Sequence, residues 1–318
     1  MLEKKDFINI LEQYDIGKYK NIRHMGHAHA NNVYKLKTTK GEYILKQLLF
    51  FDKKKEIELK TIQHEITEYL YKKGVPVPHI IKSRNGKLIL GYDNKKIMVQ
   101  TYFQGKSVKK LTDAQTLDLA KKVGNMHNIL LRIRKEKYNL SIGEISKKLR
   151  RLKDIPKKIR GISTASHCKL LQEKIQDIDR KKLKVSIIHR DIRGDNIVIY
   201  RDKIMAIIDW DDICKDYLCY EIGVIVYSFF VRSDKCNKKQ INIFLKEYQK
   251  HITFKQEEKK AVYYFTLLRF LEVISFFRYK IKINKKKRKE YKSIIYSLIK
   301  RYLCLEKLGV KEFIKLFD

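Results

Sequence analysis

The sequence predicts an α+β chain of two lobes: a small sheet-rich lobe over residues 1–103 and a larger, mostly helical lobe over 104–318. Three observations predict it. Short runs with strand-like alternation crowd the first hundred residues, long runs with helical spacing dominate after Leu111, and no internal repeat interrupts either pattern. A chain of 318 residues has ample length for two such lobes.

The elements follow in order. Phe7, Ile10, Leu11 and Tyr14 share one face of a helix over 4–14. After Gly17, Val33–Lys37 and Tyr43–Lys46 read as two strands joined by a turn at Thr39-Lys-Gly41. Glu56 to Lys73 is helical, and Gly74 stops it in the position of a C-cap. Pro76 and Pro78 force an extended segment, followed by an expected hairpin through Asn85-Gly86 and a strand over 96–103. In the second lobe, Ala114 to Leu131 is a helix and Val185 to Ile188 a short apolar strand. Ile197–Tyr200 and Ile204–Ile208 form a hairpin turning near Asp202. Helices are expected over 220–231, 257–280 and 289–305, and Glu312 to Asp318 either docks on the core or closes over a site.

Composition narrows the function. Hydrophobic residues make up 44% and aromatics 11%, which is a folded globular protein. No run reaches the ~20 apolar residues of a membrane span, and Met1 to Asp15 has no apolar leader, so no membrane partner and a cytoplasmic location are expected. Five scattered cysteines without a CxxC pair read as reduced thiols. The net charge of +36 would suit nucleic acid, but the lysines are spread over the whole chain rather than gathered in a stripe, which weighs against that partner.

Chemistry concentrates in His189-Arg-Asp-Ile-Arg-Gly-Asp-Asn196 and in Ile207-Ile-Asp209-Trp-Asp211. Phosphoryl transfer needs a carboxylate to orient the attacking hydroxyl and oxygen ligands to hold Mg2+ against a triphosphate. Asp191 fits the first role, as the catalytic residue; Asn196 and Asp209 fit the second, as metal ligands. An apolar strand, an HxDxxxxN pattern, a hairpin and a second apolar strand ending in aspartate form a far more specific signal than any one triplet.

These motifs resemble those of the aminoglycoside phosphotransferase and choline kinase superfamily, with its protein-kinase-like fold, over most of the chain. Gly41-Glu-Tyr-Ile-Leu-Lys46, Gly74-Val-Pro-Val-Pro78, Phe103-Gln-Gly105, Gly124-Asn-Met-His127 and Asp216-Tyr-Leu-Cys-Tyr-Glu-Ile-Gly223 carry the likeness. The arrangement is also similar to type II homoserine kinases and to kinase-like spore-coat proteins. The resemblance implies a nucleotide-binding first lobe and a second lobe carrying the catalytic loop and acceptor site. Lys46 would contact the α- and β-phosphates of ATP (GTP is not distinguished), Gly26 through Asn32 would cover them, and the strand holding Gln100 and Tyr102 would read the base. His189, Arg193 and Glu221 would support the loop, His189 as a hydrogen-bonding residue, and His127 would pack inside.

The sequence departs from the family pattern at two places. Gln63 stands where the helix glutamate partner of the lysine is usual, and Glu221 where aspartate is usual. The acid that pairs with Lys46 is therefore open, as is the oligomeric state. Between Asp209 and Glu221 five acids face one lysine, Lys215. Asp211 and Asp212 could then receive an amine-bearing acceptor of aminoglycoside type, or simply face solvent. Homoserine or another amino alcohol is the alternative acceptor. A protein kinase is less favoured because an apolar helix begins within a dozen residues of Asp209, and a non-catalytic kinase-fold structural protein is the reading from another class.

Overall fold

Alternating apolar residues such as Tyr34 and Leu36 give each early strand one buried face, and burying that face needs a helix beside the sheet. The computed structural model describes residues 2–28, 31–49, 54–138, 140, 143, 145–155, 157–232 and 235–318. Its chain divides into two units. The first comprises residues 1–106, 198–200 and 205–211, and the second 107–197, 201–204 and 212–318.

In the first unit, α1 (Lys4–Glu12) precedes β1 (Tyr19–Ala28), β2 (Asn31–Thr38), β3 (Glu42–Leu48), α2 (Lys54–Lys72), β4 (Ile80–Ile81), β5 (Leu90–Tyr92) and β6 (Lys95–Thr101). The strands make one antiparallel sheet in the order β1-β2-β3-β6-β4, with β5 also on β6. Phe7, Ile10 and Leu11 of α1 pack with Leu36, Leu45 and Val99 in its core. Ile62, Ile66 and Leu70 of α2 are also buried.

Strand β1 carries few apolar residues and escaped the sequence reading. The expected hairpin through Asn85-Gly86 is corrected. That dipeptide makes a local turn in which Gly86 N–H donates to the Ser83 carbonyl, and the hairpin proper joins β5 to β6 through Asp93 and Asn94. Both of these have positive φ, 44° and 56°, as a tight hairpin turn requires of two successive residues.

The second unit holds α3 (Asp113–Leu131), α4 (Ile145–Arg150), the short strands β7 (Lys158–Ile159) and β8 (Ile162–Ser163), α5 (Thr164–Gln176) and β9 (Val185–Ile188). Next come the hairpin strands β10 (Ile197–Tyr200) and β11 (Lys203–Ile207), whose residues are divided between the units, and β12 (Cys214–Tyr217). Then follow α6 (Leu218–Ile225), β13 (Val231–Arg232), β14 (Lys235–Cys236), α7 (Lys238–Gln249), α8 (Gln256–Ile283) and α9 (Arg288–Ile314).

Thr112 and Gln115 form a capping box that starts α3. Helix α6 packs closely on α8 because Gly223 has no side chain: a Cβ there would lie 2.9 Å from the Thr266 backbone nitrogen. The single helix expected over 220–231 is corrected to α6 followed by a π turn, Val226–Phe230, which widens the backbone before β13. Phe313 and Phe317 are buried, and Phe317 meets Phe254, so the C-terminal segment docks on the core of its unit. Cys214 and Cys219 are buried, and no cysteine forms a disulfide among the described residues. No described helix is long and apolar enough to cross a membrane.

Candidate active site

In the second unit, β9 pairs antiparallel with β12 and delivers the chain into the loop 189–196. The loop is shaped by one buried carboxylate. Glu221, on α6, accepts the His189 N–H at 3.0 Å and the Arg190 N–H, and its Oε2 lies 2.8 Å from His127 Nε2. His127 Nδ1 in turn meets the Tyr248 hydroxyl at 2.9 Å. These bonds support Arg190 in the left-handed region, φ 74°, where a long side chain is uncommon and strain clusters at functional sites. His189 is fully buried and its Nδ1 accepts the Asp191 N–H at 3.3 Å. Gly194 is needed where Val108 N–H donates to its carbonyl at 3.3 Å, since a side chain would strike the Val108 backbone.

Asp191 is held on both oxygens. Arg193 Nε lies 2.9 Å from Oδ2, Asn196 Nδ2 3.0 Å from the same oxygen, and Arg269 Nη2 3.1 Å from Oδ1. Asn196 Nδ2 also donates to the Asp191 carbonyl at 2.8 Å. With its nitrogen so used, the Asn196 amide turns its oxygen elsewhere, which suits a hard cation. Arg269, on α8, was missed by the sequence reading: it lies 78 positions from Asp191 and stands in no motif.

In the first unit, β3 carries Lys46 with its side chain buried. Its Nζ is 3.5 Å from Asp209 Oδ1 and 3.8 Å from Asp211 Oδ2. Burial pulls the ammonium down, but Asp211 and Asp209 overcompensate, and the net shift is upward. Asp211 is further engaged by Lys60 Nζ at 2.7 Å and Asn31 Nδ2 at 3.1 Å, while its carbonyl accepts from Gln63 Nε2 at 2.8 Å. Burial would raise this carboxyl, yet Lys46 and Lys60, with Asn31, hold it well below the ordinary range. The acids beside Lys46 are thus Asp209 and Asp211, and Gln63 and Lys60 of α2 hold Asp211. Asp209 has φ 66°, a left-handed conformation that aspartate tolerates better than most residues.

Gln100, on β6, is buried and lines one small cavity with Lys46, Gln63, Asp209 and Asp211. Tyr102 carries Lys35 Nζ 3.9 Å above its ring. The proposed phosphate-covering segment, Gly26 through Asn32, includes residues 29 and 30, which lie outside the described residues. Asp212 is exposed in the turn after Trp210.

Asp216 is buried and paired with Lys148 Nζ at 2.6 Å, and that ammonium also sits 3.1 Å from the Tyr220 ring centroid. Of the five acids over 209–221, four therefore already have partners within their own unit: Asp209, Asp211, Asp216 and Glu221.

Residues 22–251 match the model of the "Phosphotransferase enzyme family". Among curated proteins, the homoserine kinase of Methylobacillus flagellatus is 22% identical over 227 residues, covering 70% of this chain and 68% of that protein. The homoserine kinase of Bradyrhizobium diazoefficiens is 21% identical, covering 81% and 78%.

Among solved structures, an amicoumacin kinase in complex with AMP-PNP and Ca2+ superposes with a TM-score of 0.73 at 15% identity, covering 97% of this chain and 95% of that one. A microcompartment-associated aminopropanol kinase gives 0.73 at 17%, covering 99% and 100%. The α+β architecture is thus the two-lobed, protein-kinase-like fold. The loop around Asp191, the lysine on β3 and the extent of the family match agree: this chain belongs to the phosphotransferase enzyme family of small-molecule kinases that act on hydroxyl acceptors.

Proposed function

We propose that the protein transfers the γ-phosphoryl group of ATP to a hydroxyl of a small, amine-bearing molecule. The observation that carries this reading is the engagement of Asp191. It is fixed on both oxygens by Arg193, Asn196 and Arg269 at one end of a loop braced by Glu221. A carboxylate so oriented can take one geometry toward an incoming hydroxyl, and positioning is most of what phosphoryl transfer asks of a protein.

In the proposed step the acceptor oxygen bonds to the γ-phosphorus and the bond to the β–γ bridging oxygen breaks. ADP leaves with that electron pair, and the hydroxyl proton passes to Asp191. Arg193 steadies the transferred group, and Lys46 meets the α- and β-phosphates. Gln100, on β6, and Tyr102, just after its end, would meet the base. Asn196, through its amide oxygen, and Asp209 would hold Mg2+, whose chemistry is to neutralise charge building on the phosphates. Their oxygen donors fit that ion.

For the acceptor, an amino alcohol of homoserine type is preferred over an aminoglycoside. Asp211, one of the two acids expected to receive an amine-bearing acceptor, is spent on Lys46 and Lys60, and Asp216 of the same segment on Lys148, which leaves Asp212 alone of that pair; the curated relatives are homoserine kinases.

The test is ADP release with ATP, Mg2+ and a panel of homoserine, choline and aminoglycosides, in wild type and Asp191→Ala. Turnover should fall by roughly 10³-fold in the variant, the loss of a positioned base together with its orientation, with nucleotide affinity kept. Equal turnover in the two proteins would remove the base assignment. A wild type that neither binds nor hydrolyses nucleotide would favour a scaffold role.

A further inference from the structure

Beside the loop 189–196, within the second unit, lies a pocket of about 180 Å³ walled by Lys109, Arg193, Asp195, Arg232 and Arg301. Four cations meet one acid there, and that acid, Asp195, already stands 3.7 Å from Arg193 Nη1. The arginines of β13 and α9 are held rigidly. Arg232 donates from Nε to the Phe229 carbonyl and from Nη2 to the Ser228 carbonyl, both at 3.1 Å. Arg301 donates from Nε to the Val231 carbonyl at 2.6 Å and from Nη2 to the Tyr227 carbonyl, with its guanidinium 5.0 Å from the Tyr227 and Phe270 ring centroids.

A purely structural role would explain this much, because the π turn frees those carbonyls and arginine is a good cap for them. It does not explain the charge. Carbonyls are neutral, and among the described residues no carboxylate pairs with either guanidinium. Burial pulls both guanidiniums down from their ordinary value, and Arg232 lowers Arg301 further, against the opposing effect of Tyr227. The Ser228 hydroxyl, which belongs to the same wall, is a buried oxygen without a partner. Two half-buried, oriented guanidiniums with no carboxylate partner among the described residues are a receptor for an oxyanion.

We propose that this pocket binds the anionic group of the acceptor, a carboxylate or a phosphate, and so selects acceptors that carry a negative charge besides the hydroxyl. The proposal rests on Asp191 as the base of a phosphoryl transfer. Arg193 links the two places, since it lines the pocket and contacts the Asp191 carboxylate. An acceptor anchored through its anion would then be held beside the residue that receives its proton.

Matched acceptors test it. L-Homoserine and 3-aminopropan-1-ol differ by a carboxylate, and glycerol 3-phosphate and glycerol by a phosphate; ADP release is measured for each. The charged member of one pair should have kcat/KM higher by about tenfold or more, and the pair that shows it identifies the anion. In Arg232→Gln that ratio should collapse, mainly through KM. Preference for the uncharged members, or a ratio unmoved by the substitution, overturns the proposal.

A second measurement separates it from the transfer reading: calorimetric titration of inorganic phosphate and of malonate into protein saturated with ADP and Mg2+. One of these anions should bind wild type and lose about tenfold in affinity in Arg232→Gln. Lys109→Ala, at an exposed position where folding is not at stake, should lose about threefold. Anion binding of this kind without any phosphoryl transfer upholds the pocket and removes the transfer reading. Transfer without anion preference does the reverse, and absence of anion binding in wild type also overturns the proposal.

Discussion

Asp211 is the residue on which Lys46 and Lys60 both depend, and its removal is the clearest single-residue experiment. Asp211→Asn would leave two buried or half-buried ammonium groups short of their anion, at a cost of about 2 kcal/mol given that the carboxylate keeps some solvent contact. The effect depends on pH with a definite sign. Lys46 and Lys60 hold the folded carboxyl below its unfolded value near ~3.9, so its contribution is fully present above that value. It is lost as pH falls from there through the lower folded-state pKa. Urea midpoints of wild type and variant should therefore differ at pH 7 and converge only in strong acid, and a gap that widens on acidification would refute the assignment. Motif spacing in the sequence singles out Asp191, Asn196 and Asp209 as candidates, and the family resemblance singles out Lys46. The sequence did not reveal Lys60, Lys148 or Arg269, whose roles arise from contacts with residues 68 to 151 positions away.

At the scale of elements, helices and strands with strong periodicity were readable: α2, α3, α8 and β9 lie within a few residues of where their patterns put them. The hairpin at Asp93-Asn94 was not, because Asn85-Gly86 is the stronger turn signal and only pairing with β6 decides between them. Helices α5 and α7 escaped notice, their apolar residues diluted among lysines. The junction of α6 with α8 was also invisible as a contact, although Gly223 marks it. Gly223→Val would drive a branched side chain into the Thr266 backbone and should destabilise by about 2–3 kcal/mol, seen as a lower melting temperature in a thermal unfolding scan. A melting temperature equal to wild type would mean that α6 and α8 can separate at no cost.

For the whole molecule, the excess of lysine says little about partners, whereas the family match says a good deal: 22–251 is the stretch that holds both Lys46 and the loop of Asp191. Nucleotide should therefore stabilise the fold in a metal-dependent way. ATP at about 100 times its Kd contributes roughly 2.7 kcal/mol, enough to raise the melting temperature by several degrees when Mg2+ is present. Asp209→Asn should remove most of the Mg2+-dependent part of that rise while leaving the metal-free part. A wild-type dependence on Mg2+ in the variant would end the case for Asp209 as a ligand.

Glu221 has a consequence for anyone exchanging parts between relatives. One anion joins the amides of residues 189 and 190, an imidazole from α3 and, through it, a phenol from α7. The reach of glutamate, one methylene longer than aspartate, is matched to where that imidazole and those amides stand. A loop transplanted from a homologue carrying the shorter acid would arrive without its counterpart helices, and its backbone would have to find a new anchor.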